Sequence, residues 1–177
     1  IIGGNVWLTE SVPPDTKVSE IAHLFGSDRA GVFVDDTIVQ LSSHVLRLRP
    51  ASLAAGIGCN RGTPSGEIQA LLDHVLADFD LSTDSLQCLA SIDLKADEGG
   101  LIDTARQLRL PLQFFTKTEL DMVQNIQNPS DTVKKHIGVQ SVCEAAAILA
   151  SQKGNLIIPK QKTRNVTVAI AQIHYTS

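Results

Sequence analysis

The chain has 177 residues, 43% of them hydrophobic and 19% charged, with a formal net charge of −4. That length can bury a real core and suits one domain with at most a small appendage, and the composition is that of an ordinary soluble globular protein. The negative charge gives no electrostatic case for nucleic acid or an anionic membrane, and no apolar run approaches the roughly 20 residues that span a bilayer.

Cys59, Cys88 and Cys143 are odd in number and far apart, which fits a reducing compartment better than a disulfide framework. The five histidines are scattered, with no Cys/His pairing of the kind that holds zinc. The expectation is a cytoplasmic protein without a structural metal.

The first residue is Ile1 rather than Met, which reads as a processed or excised piece of something longer. Ile1-Ile2-Gly3-Gly4 resembles the activated N-terminus of trypsin-like proteases. No glycine-flanked nucleophilic serine follows, however, and the alternating pattern downstream contradicts an all-β double barrel. Residues 5–8 are a short apolar run with strand character, ahead of the breaker Pro13-Pro14. Val18, Ile21, Ala22 and Phe25 make a modest helical stripe ending at Gly26. Short strands are expected at 31–34 and 45–48, the second alternating apolar and basic residues up to Pro50. Residues 1–50 thus read as a lead-in segment with sparse chemistry, and residues 51–177 as the main domain.

The richest stretch follows: Ala54-Ala55-Gly56-Ile57-Gly58-Cys59-Asn60-Arg61-Gly62-Thr63-Pro64. Gly56, Gly58 and Gly62 permit sharp turns or a close approach of backbone to a ligand. Thr63 reads as an N-cap with Pro64 at the first helical position. Ile68, Leu71, Leu72, Val75, Leu76 and Phe79 then recur as the stripe of a core-facing helix. Strand, glycine turn and helix N-terminus with Arg61 alongside suit an anion. The dinucleotide fingerprint needs G-x-G-x-x-G. Here the third glycine falls one position late and Arg61 fills its slot, so a nucleotide is a weaker reading than a carboxylate or a tightly packed structural turn.

Residues 89–94 read as a second buried strand running into Asp93-Leu94-Lys95-Ala96-Asp97-Glu98. Leu101, Ile102, Ala105 and Leu108 supply the next helical stripe, with Asp97 and Glu98 in its first turn, where the helix dipole favours them. Residues 112–115 form a third strand, and Thr116-Lys117-Thr118-Glu119 is a capping box that opens another helix. Ser130 is a candidate cap for a short helix closed by Gly138. Ser141-Val142-Cys143-Glu144 is a second capping box, heading an Ala-rich helix through Leu149. A strand at 156–158, a basic turn at 159–165 and a last strand at 166–173 complete the chain. Strands alternating with helices indicate a three-layer α/β/α sandwich with a mostly parallel sheet, mixed because the closing pair is antiparallel. Ligands gather at the carboxyl ends of strands in such sheets, so the glycine turn and Asp93–Lys95 are expected to share one crevice.

These stretches occur together, in this order, in one family. They are Gly-Ile-Gly-Cys-x-Arg-Gly-Thr at 56–63, Ile-Asp-Leu-Lys-Ala-Asp-Glu at 92–98, Lys-His-Ile-Gly at 135–138 and Val-Cys-Glu-Ala-Ala-Ala at 142–147. Lys160-Gln161-Lys162 with Asn165-Val166-Thr167-Val168-Ala169-Ile170-Ala171 closes the set. From residue 50 to 173 the chain resembles the C-terminal domain of the cobalamin-biosynthesis protein G family. That family includes the cobalt-precorrin-5A hydrolase of the anaerobic pathway and a shorter single-domain counterpart of the aerobic pathway. Residues 1–50 resemble the tail of the hydrolase's middle region. Asn60 stands where the family commonly has a second basic residue, and the hydrolase's separate N-terminal domain is not in this chain.

The resemblance implies a cobalt-bearing macrocycle with acetate and propionate side chains, whose ring lactone is opened with loss of a two-carbon unit as acetaldehyde. It implies no cofactor, the cobalt arriving inside the substrate. The implied partners are the cobalt-precorrin and, beyond it, other enzymes of the cobalamin pathway. A polycarboxylate calls for cations, backbone amides and helix N-termini around a crevice. The candidate binding residues are Gly56, Gly58, Cys59, Arg61, Gly62, Lys95, Ser130, Lys160, Lys162 and Asn165, with Arg164 beside them. Hydrolytic water needs a base, and Asp93 and Glu98 are the candidates. Asp97 and Glu144 are carboxylates of the same motifs, Glu144 reading as helix-start electrostatics. Cys59 would be a nucleophile only with a lowered pKa, and a buried, inert thiol is the preferred reading. His136 reads as an ordinary histidine at a helix C-terminus.

Two function classes therefore stand: a corrinoid hydrolase or its C-terminal part, and a non-catalytic corrinoid-binding or carrier module. A nucleotide-binding domain is a third.

Overall fold

The computed structural model describes residues 31–38, 40, 43, 45–126 and 141–173. Their elements run β1 (Gly31–Val34), β2 (Val45–Leu48), β3 (Leu53–Cys59), α1 (Ser65–Asp78), β4 (Leu86–Ile92), α2 (Gly99–Leu108) and β5 (Leu112–Phe115). Then come α3 (Lys117–Ile126), α4 (Val142–Ala150), β6 (Leu156–Lys162) and β7 (Val166–Gln172). Single 3-10 turns at Thr83–Ser85 and Asp93–Lys95 flank β4.

Period-two alternation organises the sheet. Leu53, Ala55 and Ile57 point to one face of β3 and Ala54 to the other, all fully buried. The sheet order is β5-β4-β3-β7-β6. β3, β4 and β5 are parallel, while β7 lies antiparallel between β3 and β6, so β6 points the same way as β3. The chain steps from β3 to β4 to β5 in one direction and returns to β6 in the other. α1 and α2 pack on one face and α3 and α4 on the opposite one, the arrangement that the right-handed rule for crossovers predicts for this strand order. The expected three-layer α/β/α sandwich with a mostly parallel, mixed sheet is what forms.

The two faces differ in composition. Ile68, Leu71, Leu72, Val75 and Leu76 of α1 pack against Leu53, Ile57, Leu89 and Val168, each large side chain contributing roughly 1.5–3 kcal/mol on burial. The other face is built from small residues, with Ala54, Ala90, Ala169 and Ala171 meeting Ala145, Ala146 and Ala147 of α4. Small residues on both surfaces bring helix and sheet close. At Gly56 the approach is tightest, since a Cβ there would fall 1.8 Å from the carbonyl oxygen of Cys143.

β1 and β2 pair in parallel as a separate two-stranded sheet. The loop after β1 joins the main domain where the Asp36 carbonyl accepts from the Ser82 amide (2.8 Å) and its Oδ2 accepts from Ser52 Oγ (2.9 Å).

Several elements depart from the sequence reading. Thr63 does not cap α1: Pro64 holds the cap position without a side-chain bond, and Thr63 Oγ1 donates instead to the Asn60 carbonyl at 2.8 Å. Phe79 is not core; α1 stops at Asp78 because Asp80 turns left-handed (φ 55°), which leaves Phe79 47% exposed. β4 begins at Leu86 and ends at Ile92, ahead of the 3-10 turn at Asp93. β6 extends through the expected basic turn to Lys162, leaving only residues 163–165 as the turn. Pro159 is tolerated there because β6 is an edge strand whose register shifts between Ile158 and Gln161, so its missing N–H costs no ladder bond. The Thr116 capping box forms as expected, with the Thr116 amide donating to Glu119 Oε2 (2.7 Å) and the Glu119 amide to Thr116 Oγ1 (3.3 Å). The expectations at 5–8 and 18–26, and those on Ser130, His136 and Gly138, lie outside the described residues.

Candidate functional site

Because β3, β4 and β6 point the same way, the turns that follow them meet at one edge of the sheet. These are the glycine turn at 60–64, the acidic turn at 93–98 and the β6–β7 turn at 163–165. The glycine turn and the 93–98 turn adjoin, but the shared crevice expected of them is not what forms: none of residues 93–98 lines the cleft on the other side of β3.

Glu98 and Arg61 make that junction. Glu98 sits at the N-cap of α2, but its side chain makes no bond to its own helix. Its Oε1 accepts from the Gly62 amide at 2.8 Å, and its Oε2 lies 3.6 Å from Lys95 Nζ, the two side chains being 5% and 17% exposed. Gly62 adopts φ +74°, a conformation open to glycine. Arg61 Nη2 donates to the Leu94 carbonyl at 3.0 Å, and its Nη1 faces both carboxylate oxygens of Asp97. That guanidinium holds the Asp97 carboxyl below its ordinary range. Asp93 is exposed and does not pair with Lys95, so no buried Asp93–Lys95 tether forms.

On the other side of β3 the glycine turn meets the hairpin. The Asn60 amide donates to the Asn165 carbonyl (2.9 Å), Asn60 Nδ2 to Asn165 Oδ1 (3.1 Å), and Asn165 Nδ2 to Glu67 Oε2 on α1 (3.3 Å). Thr167 Oγ1 donates to the Gly58 carbonyl at 3.3 Å. These bonds frame an open cleft of about 470 Å³ whose walls include Gly58, Cys59, Asn60, Lys162, Arg164 and Asn165. Lys162 and Arg164 are exposed and make no ion pair among the described residues. Both are therefore uncompensated positive charges beside the cleft, placed where a carboxylate can reach them.

The remaining candidates fall elsewhere. Gly56 is buried beneath α4, out of reach of a ligand. Lys160 lies outside the cleft wall, and its amide donates to Glu144 Oε1 at 2.9 Å. Glu144 in turn accepts from Ser141 Oγ at 3.0 Å, so this buried carboxylate ties α4 to β6 rather than serving the helix start alone. Cys59 is half-buried, and burial pushes its thiol up despite the opposing pull of Lys95. A raised thiol pKa favours the protonated form, which is the weaker nucleophile.

Asn60, Thr163 and Thr167 were missed as cleft residues. Only the asparagine at each of two turns offered a signal, and it becomes readable once the two turns are known to be neighbours. Among the described residues no three His, Cys, Asp or Glu side chains gather as a metal site, and no helix is long and apolar enough to cross a membrane.

Residues 53–171 match the family model described as cobalamin synthesis G C-terminus. The chain is 41% identical over 127 residues to a cobalt-precorrin-5A hydrolase of Priestia megaterium, covering 72% of this chain and 34% of that protein. It is 32% identical over 123 residues to Protein CobE of a Sinorhizobium species, covering 68% of this chain and 80% of that one. The crystal structure of CobE, a protein from the cobalamin (vitamin B12) biosynthetic pathway, superposes with a TM-score of 0.60 at 33% identity, over 73% of this chain and 96% of that one. The chain thus spans about a third of the hydrolase's length and most of CobE's.

Proposed function

The chain belongs to the cobalamin synthesis G C-terminus family, and on that premise we propose that it is the corrinoid-binding part of a cobalt-precorrin-5A hydrolase. One observation supports this above others. Three turns distant in sequence meet at one sheet edge, present two unpaired cations in an open cleft, and all fall inside the matched residues 53–171.

The substrate of such an enzyme is a broad, flat macrocycle edged with acetate and propionate groups. An open cleft suits a ligand that lies across the edge. Lys162 and Arg164 receive its carboxylates, and Asn60 and Asn165 hold the two walls of the cleft in register. In the hydrolysis, water adds to the lactone carbonyl and the ring C–O bond breaks to give a carboxylate and an alcohol. The alcohol then loses its proton, its carbon–carbon bond to the macrocycle breaks to release acetaldehyde, and the macrocycle keeps the electron pair and takes up a proton. Glu98 is poorly suited as the base, because both of its oxygens are already engaged. Asp93, exposed and with no side-chain hydrogen bond or ion pair among the described residues, is free to take the proton of water.

The test is to incubate cobalt-precorrin-5A with the full-length protein and with this chain, assaying acetaldehyde and corrinoid binding separately. Acetaldehyde from the full-length protein, with binding by the chain, is the expected result. Absence of both in both proteins overturns the reading. The match to nearly all of CobE favours a second reading, a corrinoid-binding or carrier module without catalysis of its own. Binding by both proteins with no acetaldehyde from either would establish it.

A further inference from the structure

The glycine turn has the makings of an anion site: a helix N-terminus, a glycine at positive φ with its amide turned to a neighbour, and a lysine beside it. In this molecule that position already holds an anion. The carboxylate of Glu98 takes the Gly62 amide at 2.8 Å and faces Lys95 Nζ at 3.6 Å, and the residue is only 4% exposed. The second cation of the turn, Arg61, is likewise matched by Asp97 at 2.8 Å. Each positive group of the glycine and acidic turns has an internal carboxylate, whereas Lys162 and Arg164 across β3 have none among the described residues.

We propose that Glu98 is a built-in anion that fills the glycine turn, so that carboxylates of a ligand are received on the Lys162 and Arg164 side. Glu98 is then a positioning residue: it fixes the Gly62 amide and the Lys95 ammonium and denies that place to the ligand. Burying a carboxylate is costly unless it is paired and hydrogen-bonded, and Glu98 meets both conditions. Only the second half of the proposal, concerning where ligand carboxylates go, rests on the corrinoid reading above.

The experiment uses formate, a free carboxylate small enough for the vacated space, as probe. Glu98→Ala removes the internal anion. Thermal unfolding is followed in formate and in chloride at equal ionic strength, for wild type, Glu98→Ala and Glu98→Gln. A saturable, formate-specific rise of several degrees is expected in Glu98→Ala, by mass action on the folded state. No such rise is expected in wild type or in Glu98→Gln, whose amide oxygen still occupies the turn. A folded Glu98→Ala indifferent to formate, or an equal rise in wild type, overturns the proposal.

Should Glu98→Ala fail to fold, urea unfolding of Glu98→Gln and of Glu98→Gln with Lys95→Met decides instead. The proposal expects the single variant to lose stability, because Lys95 is left without its counter-charge, and the double variant to regain much of it. No loss in the single variant, or a loss without recovery, overturns it. Corrinoid titration of the same proteins separates the two readings. Formate rescue without any corrinoid binding would sink the proposed function and leave the built-in anion standing. Corrinoid binding without rescue would do the reverse.

Discussion

Arg61 Nη1 faces both carboxylate oxygens of Asp97, at 2.8 and 2.9 Å, with the two side chains 63% and 70% exposed. A solvated pair of this kind adds little to stability. Its effect is to hold the guanidinium against the 93–98 turn and neutralise it, so a ligand carboxylate must compete with Asp97. Asp97→Asn, which frees the guanidinium, is expected to tighten corrinoid binding and Arg61→Ala to leave it near wild type, with both unfolding midpoints close to wild type. Calorimetric titration beside thermal unfolding checks this. A clear loss of affinity in Arg61→Ala, or none gained in Asp97→Asn, would contradict the internal neutralisation of Arg61.

The same pair responds to acid with a definite sign. Hydrogen bonding to Arg61 lowers the Asp97 pKa from its ordinary 3.8. A depressed folded-state pKa means that the contribution is complete above the unfolded value and is lost as pH falls through the lowered one. The Arg61–Asp97 contact is therefore intact at neutral pH and opens only below the usual carboxylate range. Carboxyl NMR titration of wild type and Arg61→Ala tests this: the Asp97 midpoint should rise in the variant, and an unchanged midpoint would refute the assignment.

Gly56 and Gly66 make opposite predictions about alanine. At Gly56 a Cβ would sit 1.8 Å from the Cys143 carbonyl and 2.7 Å from the Ala147 amide. Neither backbone atom can swing away, so Gly56→Ala must lever α4 off the sheet. The expected loss is at least the ~1–3 kcal/mol of an overpacked core. Gly66, in the first turn of α1, has nothing within 4 Å of such a Cβ. Gly66→Ala is expected to stabilise by about 0.4–1 kcal/mol through the unfolded chain. Urea unfolding of both variants decides, and a tolerated Gly56→Ala would contradict the close approach of α4.

Burial raises the Cys59 thiol from its ordinary 9.0, with Lys95 only partly offsetting it. Iodoacetamide should alkylate Cys59 slowly at neutral pH, and faster only as the pH passes above the ordinary thiol value, read site by site by mass spectrometry. Rapid modification at pH 7 would restore Cys59 as a nucleophile candidate.

The elements were legible where local pattern and tertiary packing agree. The α1 stripe from Ile68 to Leu76 and the Thr116 capping box are local devices, and both formed as expected. Legibility failed where a residue answers a partner outside its own helix. Thr63 and Glu98 carry the marks of helix-start residues, yet Thr63 bonds the Asn60 carbonyl and Glu98 bonds a turn 36 residues earlier. Glu144 looks like half of a capping box, yet one of its oxygens accepts the amide of Lys160. Gly56 reads as part of a ligand turn because the sequence shows its neighbours in the chain and not the helix lying over it. The carboxyl edge itself was foreseeable from strand order. Which cations there stand unpaired was not, because that depends on which carboxylates the other turns bring.

Lys162 and Arg164 supply the last prediction. Both line the cleft and lack an ion-pair partner among the described residues. A hydrogen bond to a charged group is worth ~1.5–3 kcal/mol, so each of Lys162→Ala and Arg164→Ala should weaken corrinoid binding about tenfold or more. Exposed charges are screened by salt, so the wild-type advantage should shrink as ionic strength rises. Lys153 provides the control: it is also exposed but precedes β6, at the end of the strand away from the cleft. Lys153→Ala carries the same change in net charge and should leave affinity unaltered. If all three substitutions weaken binding alike, attraction depends on overall charge and the cleft is not the carboxylate site. If the two cleft variants alone lose affinity, and lose it most at low salt, the ligand is held where β6 turns into β7.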